Sequence, residues 1–266
     1  MNTMAIIAAV LVLGGLGVLF GAVLTFADKK FRVEVDPRIA EVSECLGGAN
    51  CGACGFAGCA ALAEAIVKGE AKPNACAPAG PDGAAKIAKI MGLEVEQGKP
   101  VVARVICQGQ TGVANDRYTY DGLPSCRAAS SLAGGPKMCP YACIGLGDCE
   151  KVCAFDAISI QNGLVNINED KCQACGMCAE TCPRGVIQLL PRDQNVLVRC
   201  RNSDTGRTAR EACMKACIGC KRCEKECQYG AIHVENGFAK IDPEKCTRCG
   251  ACAKTCPCGC ITMPEA

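Results

Sequence analysis

The longest feature of the hydropathy pattern lies at the N-terminus. From Met4 to Ala27 the chain reads MAIIAAVLVLGGLGVLFGAVLTFA, without a charge. A run of that length can cross the apolar core of a bilayer as a helix, so residues 1–27 are expected to form a transmembrane anchor. A cleaved signal peptide normally opens with Lys or Arg, and Met1, Asn2 and Thr3 supply neither. Lys29, Lys30 and Arg32 follow at once. By the positive-inside tendency they put the rest of the chain on the cytoplasmic side of the cell (inner) membrane, behind a single pass. The span has no ionisable residue, so it is not expected to conduct ions by itself. Gly14, Gly17 and Gly21 recur at roughly helical spacing, either as a face for a partner's helices or as the ordinary glycine content of such spans.

Past the anchor the periods change. AALAEAIVKG (60–69) has helical spacing and ends at Gly69, and PDGAAKIAKIMG (81–92) reads as a helix from an Asp82 cap to Gly92. AISIQNGLVNI (157–167) and AIHVENGFAKI (231–241) alternate with period two around Asn162–Gly163 and Asn236–Gly237. Each predicts a hairpin with a two-residue type I′ turn. DRYTYDG (116–122) reads as a packed strand and turn.

Composition says what holds such short elements together. Aromatics are 4% of 266 residues and Trp is absent, while cysteines number 27. That density means either a disulfide scaffold or metal centres. Cytoplasmic thiols stay reduced, which favours metal, and ligand binding then contributes to folding. One histidine makes His-based zinc or haem chemistry a poor fit, and His233 reads as a surface or strand-packing residue. A net charge of +2 gives no reason to expect nucleic acid.

The cysteines repeat. A shift of 74 residues carries Cys143, Cys149 and Cys153 onto Cys217, Cys223 and Cys227. The same shift carries Cys172, Cys175, Cys178 and Cys182 onto Cys246, Cys249, Cys252 and Cys256, and Cys126 and Cys139 onto Cys200 and Cys213. Each copy contains the C-x2-C-x2-C-x3-C-P run of bacterial ferredoxins, whose fourth cysteine ligates the other cluster of a pair. In the second copy one [4Fe–4S] cluster is expected on Cys217, Cys220, Cys223 and Cys256, the other on Cys246, Cys249, Cys252 and Cys227. In the first copy Cys172, Cys175, Cys178 and Cys153 complete one cluster. The other has Cys143, Cys149 and Cys182, with Leu146 where copy two has Cys220. The site is either a three-iron cluster or completed by a substitute, with Cys139 as first choice and Cys126 or Cys107 as second. Upstream, NCGACGFAGC holds Cys51, Cys54 and Cys59, and Cys76 follows. This is a further iron–sulfur site or, alternatively, a zinc site with the same ligands. The total is five clusters, with six conceivable. Cys45, Cys107, Cys126, Cys200, Cys213, Cys258 and Cys260 are left over and default to small apolar residues.

The expected class is α+β: the anchor, a small helical Fe–S domain over 28–98, and two tandem 2[4Fe–4S] ferredoxin-like modules over 99–191 and 192–266. An apolar anchor, NCGACGFAGC with a later Cys76, and doubled ferredoxin-type modules resemble the RnfB family of Rnf-complex components. CIGLGDCEKVC (143–153) is similar to its anaerobic, clostridial-type branch. The resemblance implies an electron-transfer component of an ion-translocating ferredoxin:NAD oxidoreductase. Such a component takes electrons from soluble ferredoxin and passes them to other membrane subunits, with the cluster on Cys51, Cys54, Cys59 and Cys76 nearest the membrane. It implies no catalytic residue here, and the chain shows no GxGxxG dinucleotide fingerprint. The competing readings are an iron–sulfur component of a quinone- or hydrogenase-linked membrane oxidoreductase, and a redox sensor or zinc-stabilised adaptor.

Overall fold

The computed structural model describes residues 3–31, 36–94 and 99–263, with the side chains of 3–10, 28 and 31 outside the description. Arg32, one of the cations behind the expected orientation, falls outside it, as do residues 95–98 beside the expected boundary at 98/99. Helix α1 (Thr3–Phe31) covers the apolar run. Its described large side chains, Leu11, Leu13, Val18 and Leu24 among them, are exposed. Among the described residues no helix is long and apolar enough to cross a membrane.

Three helices make the next unit: α2 (Pro37–Cys45), α3 (Cys59–Val67) and α4 (Gly80–Met91). Their apolar faces close on Val42, Leu62, Ile66 and Ile87. Asp36 caps α2 by accepting the Arg38 N–H at 2.9 Å, with Pro37 behind it. After α3 the Gly69 N–H reaches Ile66 O and the Glu70 N–H reaches Ala65 O, with Gly69 left-handed. That pairing stops the helix as expected at this glycine. α4 begins two residues before its expected Asp82 cap, because Pro81 suits the first turn and Asp82 lies inside it, where the helix dipole favours an acid.

The first module opens with β1 (Val101–Val105) and continues through α5 (Cys126–Ser131), α6 (Asp148–Lys151), β2 (Ile158–Gln161), β3 (Leu164–Ile167), α7 (Met177–Thr181) and β4 (Ile187–Pro191). The second runs β5 (Leu197–Val198), α8 (Gly206–Ala212), α9 (Arg222–Glu226), β6 (Ile232–Glu235), β7 (Phe238–Ile241), α10 (Ala251–Thr255) and β8 (Ile261–Thr262). The hairpins β2–β3 and β6–β7 are antiparallel and in equivalent register. All four turn residues, Asn162, Gly163, Asn236 and Gly237, have positive φ, as a type I′ turn requires. Each module is closed by pairing its first strand with its last, β1 with β4 and β5 with β8. DRYTYDG forms no strand. Its hydroxyls bind nearby carbonyls instead, Tyr118 to Leu132 and Tyr120 to Leu123.

The two modules share one packed seam. Val105, Cys107, Ala114, Cys139 and Ala142 of the first are buried in one core with Ala209, Cys213 and Ala216 of the second. The Asn115 N–H binds Ala212 O at 3.0 Å, and the Arg199 guanidinium reaches back to Val105 O and Cys107 O.

Candidate metal centres

Each ferredoxin run turns on left-handed residues at equivalent places: Ala174 and Gly176 in the first copy, Arg248 and Gly250 in the second. The chain curls round the side chains of the run, and amides point at sulfur, as from Ala174 to Cys172 Sγ at 3.5 Å. Three small cavities result. Cys153, Cys172, Cys175 and Cys178 line one, and Cys227, Cys246, Cys249 and Cys252 another. The third is lined by Cys126, Cys143, Cys149 and Cys182.

That third cavity differs from the expectation for the Leu146 site. Cys126, at the start of α5, occupies the place given to Cys139. α5 is docked by Asp148 of α6, whose Oδ2 accepts the Ser125 hydroxyl at 2.9 Å and the Arg127 N–H at 3.0 Å. Burial works to raise the Asp148 carboxyl, but these donors and the Cys126 N–H outweigh it and hold it below its ordinary value. Leu146 fills the space behind Cys126, against Ala129, Ile144 and Tyr120. Burial pushes the Cys149 thiol up to about 12, with the sulfurs of Cys143, Cys126 and Cys182 adding to it.

Cys139 stands elsewhere. Burial pushes its thiol up to about 12, and the sulfurs next to it are Cys107, Cys200 and Cys213. These four come from both modules and lie in their seam. Asn202, 1% exposed, donates its side-chain amide to Cys139 Sγ at 3.4 Å and its main-chain N–H to Cys200 Sγ at 3.5 Å. The Cys217 N–H reaches Cys200 Sγ at 3.2 Å and the Gly109 N–H reaches Cys107 Sγ at 3.2 Å. Cations surround the group. Burial holds the Arg184 and Arg199 guanidiniums below their ordinary values, against the pull of Cys139 and Cys107 respectively. Lys137 is buried beside Cys213 and paired with Asp116 at 2.8 Å.

A fifth group gathers Cys217, Cys220, Cys223 and Cys256. Burial pushes Cys223 up to about 11, with the other three sulfurs as its neighbours. Cys260 intrudes here, its Sγ 3.5 Å from Cys256 Sγ. Its hydrogen bonds hold Cys256 down at about 5 and Cys217 at about 6, and its own thiol is raised. The sixth group is N-terminal. Cys54, Cys59 and Cys76 pack on the three-helix core, and Asn50 Oδ1 accepts the Cys59 N–H at 2.8 Å. Cys51 follows Asn50 in this loop and is one of the sulfurs neighbouring Cys175. Among the described residues no three His, Cys, Asp or Glu side chains converge on a single-ion site. Thiolates at the corners of an iron–sulfur cube stand wider apart. The all-sulfur donor sets, most of them buried or half-buried and several with amides aimed at sulfur, fit [4Fe–4S] clusters.

The 74-residue frame already contained Cys126, Cys200 and Cys213, but it gave no sign that they belong to different groups. Cys107 has no counterpart in that frame, and Asn202 corresponds to Ala128.

Residues 46–78 match the FeS family of Fe-S cluster proteins, 165–188 the 4Fe-4S binding domain family, and 216–260 the 4Fe-4S dicluster domain family. The chain is 46% identical over 259 residues to the B-type subunit of the Na(+)-translocating ferredoxin:NAD(+) oxidoreductase complex of Acetobacterium woodii, covering 97% of this chain and 78% of that protein. It is 43% identical over 253 residues to the B-type subunit of the ion-translocating oxidoreductase complex of Methanosarcina acetivorans, covering 95% and 96%. It is 40% identical over 265 residues to the B-type subunit of the proton-translocating ferredoxin:NAD(+) oxidoreductase complex of Clostridium ljungdahlii, covering 98% and 93%. With a helical Fe–S domain, two ferredoxin-like modules and relatives matched along most of their length, the chain belongs to the RnfB family, the B-type subunits of the ion-translocating ferredoxin:NAD oxidoreductase (Rnf) complexes.

Proposed function

We propose that the six cysteine quartets each hold a [4Fe–4S] cluster and form one line between the two ends of the molecule. As a member of its family the chain is an iron–sulfur electron-transfer subunit of an ion-translocating ferredoxin:NAD oxidoreductase complex. Bound [4Fe–4S] clusters supply reversible one-electron transfer. The protein supplies their order. Within each module the crossed cysteines, Cys153 with Cys182 and Cys227 with Cys256, keep two quartets side by side. Between modules, Cys200 neighbours Cys217 on one side and Cys107 neighbours Cys143 on the other. Cys175 neighbours Cys51. The single observation that carries the reading is the seam quartet, Cys107, Cys139, Cys200 and Cys213, which fills the interval between the modules.

The ends differ. Cys220 and Cys249 are exposed at the C-terminal module. Exposed Lys221, Arg222 and Lys225 lie beside the first, and Lys245 and Arg248 beside the second. Such cations suit an acidic electron donor, and we place reduced ferredoxin there, although Glu224 and Glu226 share the face. The other end follows α1 in the sequence. The side chains of residues 4–10 lie outside the description, and counted with them the apolar run reaches from Met4 to Ala27, a length that suits a bilayer when helical. Its sequence from Met4 to Ala27 is free of charge, and Lys29 and Lys30 follow. We therefore place α1 in the membrane as a single pass with the remainder on the cytoplasmic side. Around Gly14, Gly17 and Gly21 an added Cβ would meet nothing within 4 Å, which leaves a smooth strip for another member of the complex.

The test is iron and acid-labile sulfide on the full chain purified without oxygen. Six quartets predict about 24 of each per chain. About 20 would contradict the count of six, with unchanged iron in Cys213→Ala showing that the seam centre is the missing one, and stoichiometric zinc with little iron would contradict the whole reading.

A further inference from the structure

Asn202 has no counterpart in the first copy, where Ala128 stands, and it is among the most deeply buried polar side chains described. Its side-chain oxygen, side-chain amide and main-chain N–H are each engaged. Oδ1 accepts the Asp204 N–H at 2.7 Å, which fixes the loop. Nδ2 then points at Cys139 of the first module, and the main-chain N–H at Cys200 of the second. One residue thus donates to two sulfurs that come from opposite sides of the seam. A hydrogen bond to a thiolate is stronger the more negative charge that sulfur carries, and reduction adds charge to a cluster and its ligands. Donors to the ligating sulfurs therefore favour the reduced form.

We infer that Asn202 is the positioning residue that sets how readily the seam centre is reduced, through its side-chain amide on Cys139 and its main-chain amide on Cys200. The inference rests on the reading of Cys107, Cys139, Cys200 and Cys213 as a cluster site. Arg184, Arg199 and Lys137 act in the same direction as Asn202, but each is also engaged with a carbonyl or a carboxylate. The buried side-chain amide found on a seam sulfur is that of Asn202.

The experiment is a redox titration of the full chain followed by EPR, on the unmodified protein, Asn202→Ala and Asn202→Asp, with iron and sulfide counted in each. Asn202→Asp keeps the acceptor for Asp204 and turns a donor into a charge facing Cys139. Both variants are expected to keep their iron while one centre becomes harder to reduce. The expected change is at least tenfold for Asn202→Ala, about 59 mV at one electron per tenfold change, and larger for Asn202→Asp. Full iron with every potential unchanged overturns the role of Asn202 and leaves the seam centre standing. Loss of about four iron from both variants makes Asn202 a structural support and equally overturns the tuning role. A Cys213→Ala chain that retains all its iron removes the seam centre itself, and the inference with it.

Discussion

The two modules are copies that solve one problem differently. Where the second has Cys220, the first has Leu146, and the difference spreads to every surplus cysteine nearby. In the first copy Cys126 moves in on α5 to stand with Cys143, Cys149 and Cys182. In the second copy Cys220 occupies that place, and the counterpart of Cys126, Cys200, turns to the seam instead. Cys139 and Cys213 are counterparts too, and both face the seam. Equivalent positions in a duplicated sequence need not serve equivalent sites. A single substitution changes which quartet a neighbouring cysteine is free to join.

The largest test of this comparison is rescue. Cys126→Ala is expected to lose about four iron per chain, and Leu146→Cys in the same chain is expected to restore them, since copy two shows that a cysteine there fits. Cys200→Ala is expected to lose a similar amount and to gain nothing from Leu146→Cys. Iron analysis of the four chains decides it. Failure of the double variant to recover iron would break the equivalence of Leu146 and Cys220.

A smaller difference separates the cysteine loops. A Cβ on Gly145 would come 2.4 Å from Gly163 O of the hairpin turn, whereas its counterpart on Gly219 would come 3.0 Å from Gly237 O. Both glycines are left-handed, at φ 81° and 63°. Gly145→Ala should cost about 1–3 kcal/mol, and Gly219→Ala less, as read by urea unfolding under anaerobic conditions. Equal costs would mean that the turn in the first copy yields as easily as that in the second.

The smallest concerns helix starts. Ser125 caps α5, its Oγ accepting the Ala128 N–H at 3.4 Å, while Thr205 before α8 makes no such bond. Ser125→Ala should destabilise by about 0.5–2 kcal/mol, with Thr205→Ala close to neutral in the same unfolding measurement. A larger loss at Thr205 would contradict the difference in capping between these two helices, which start at non-equivalent positions of the 74-residue frame.

Much of the architecture was legible from local signals. Asn162–Gly163 and Asn236–Gly237 dictate their hairpins because Asn and Gly tolerate the positive φ that the turn needs, and Gly69 stops α3 for the same reason. The gathering of each ferredoxin run was legible too, since three cysteines on one tight turn have little choice of direction. The substitute beside Leu146 was legible only as a second choice, since the sequence put Cys139 ahead of Cys126. Cys139 is nearer in sequence, but Cys126 is brought in by Asp148 holding α5, a contact between segments that no spacing encodes. The seam quartet was hidden for a related reason. Cys107 reaches it only because β1 pairs with β4 and Arg199 ties the next loop to the second module.

The central claim is that Cys126 and Cys139 belong to two separate centres. It is tested most directly by counting iron and sulfide in Cys126→Ser, Cys139→Ser and the double variant of the full chain. Two centres predict about four iron lost in each single variant and about eight in the double. A double variant that loses no more than either single one would place both cysteines on one centre and contradict the account.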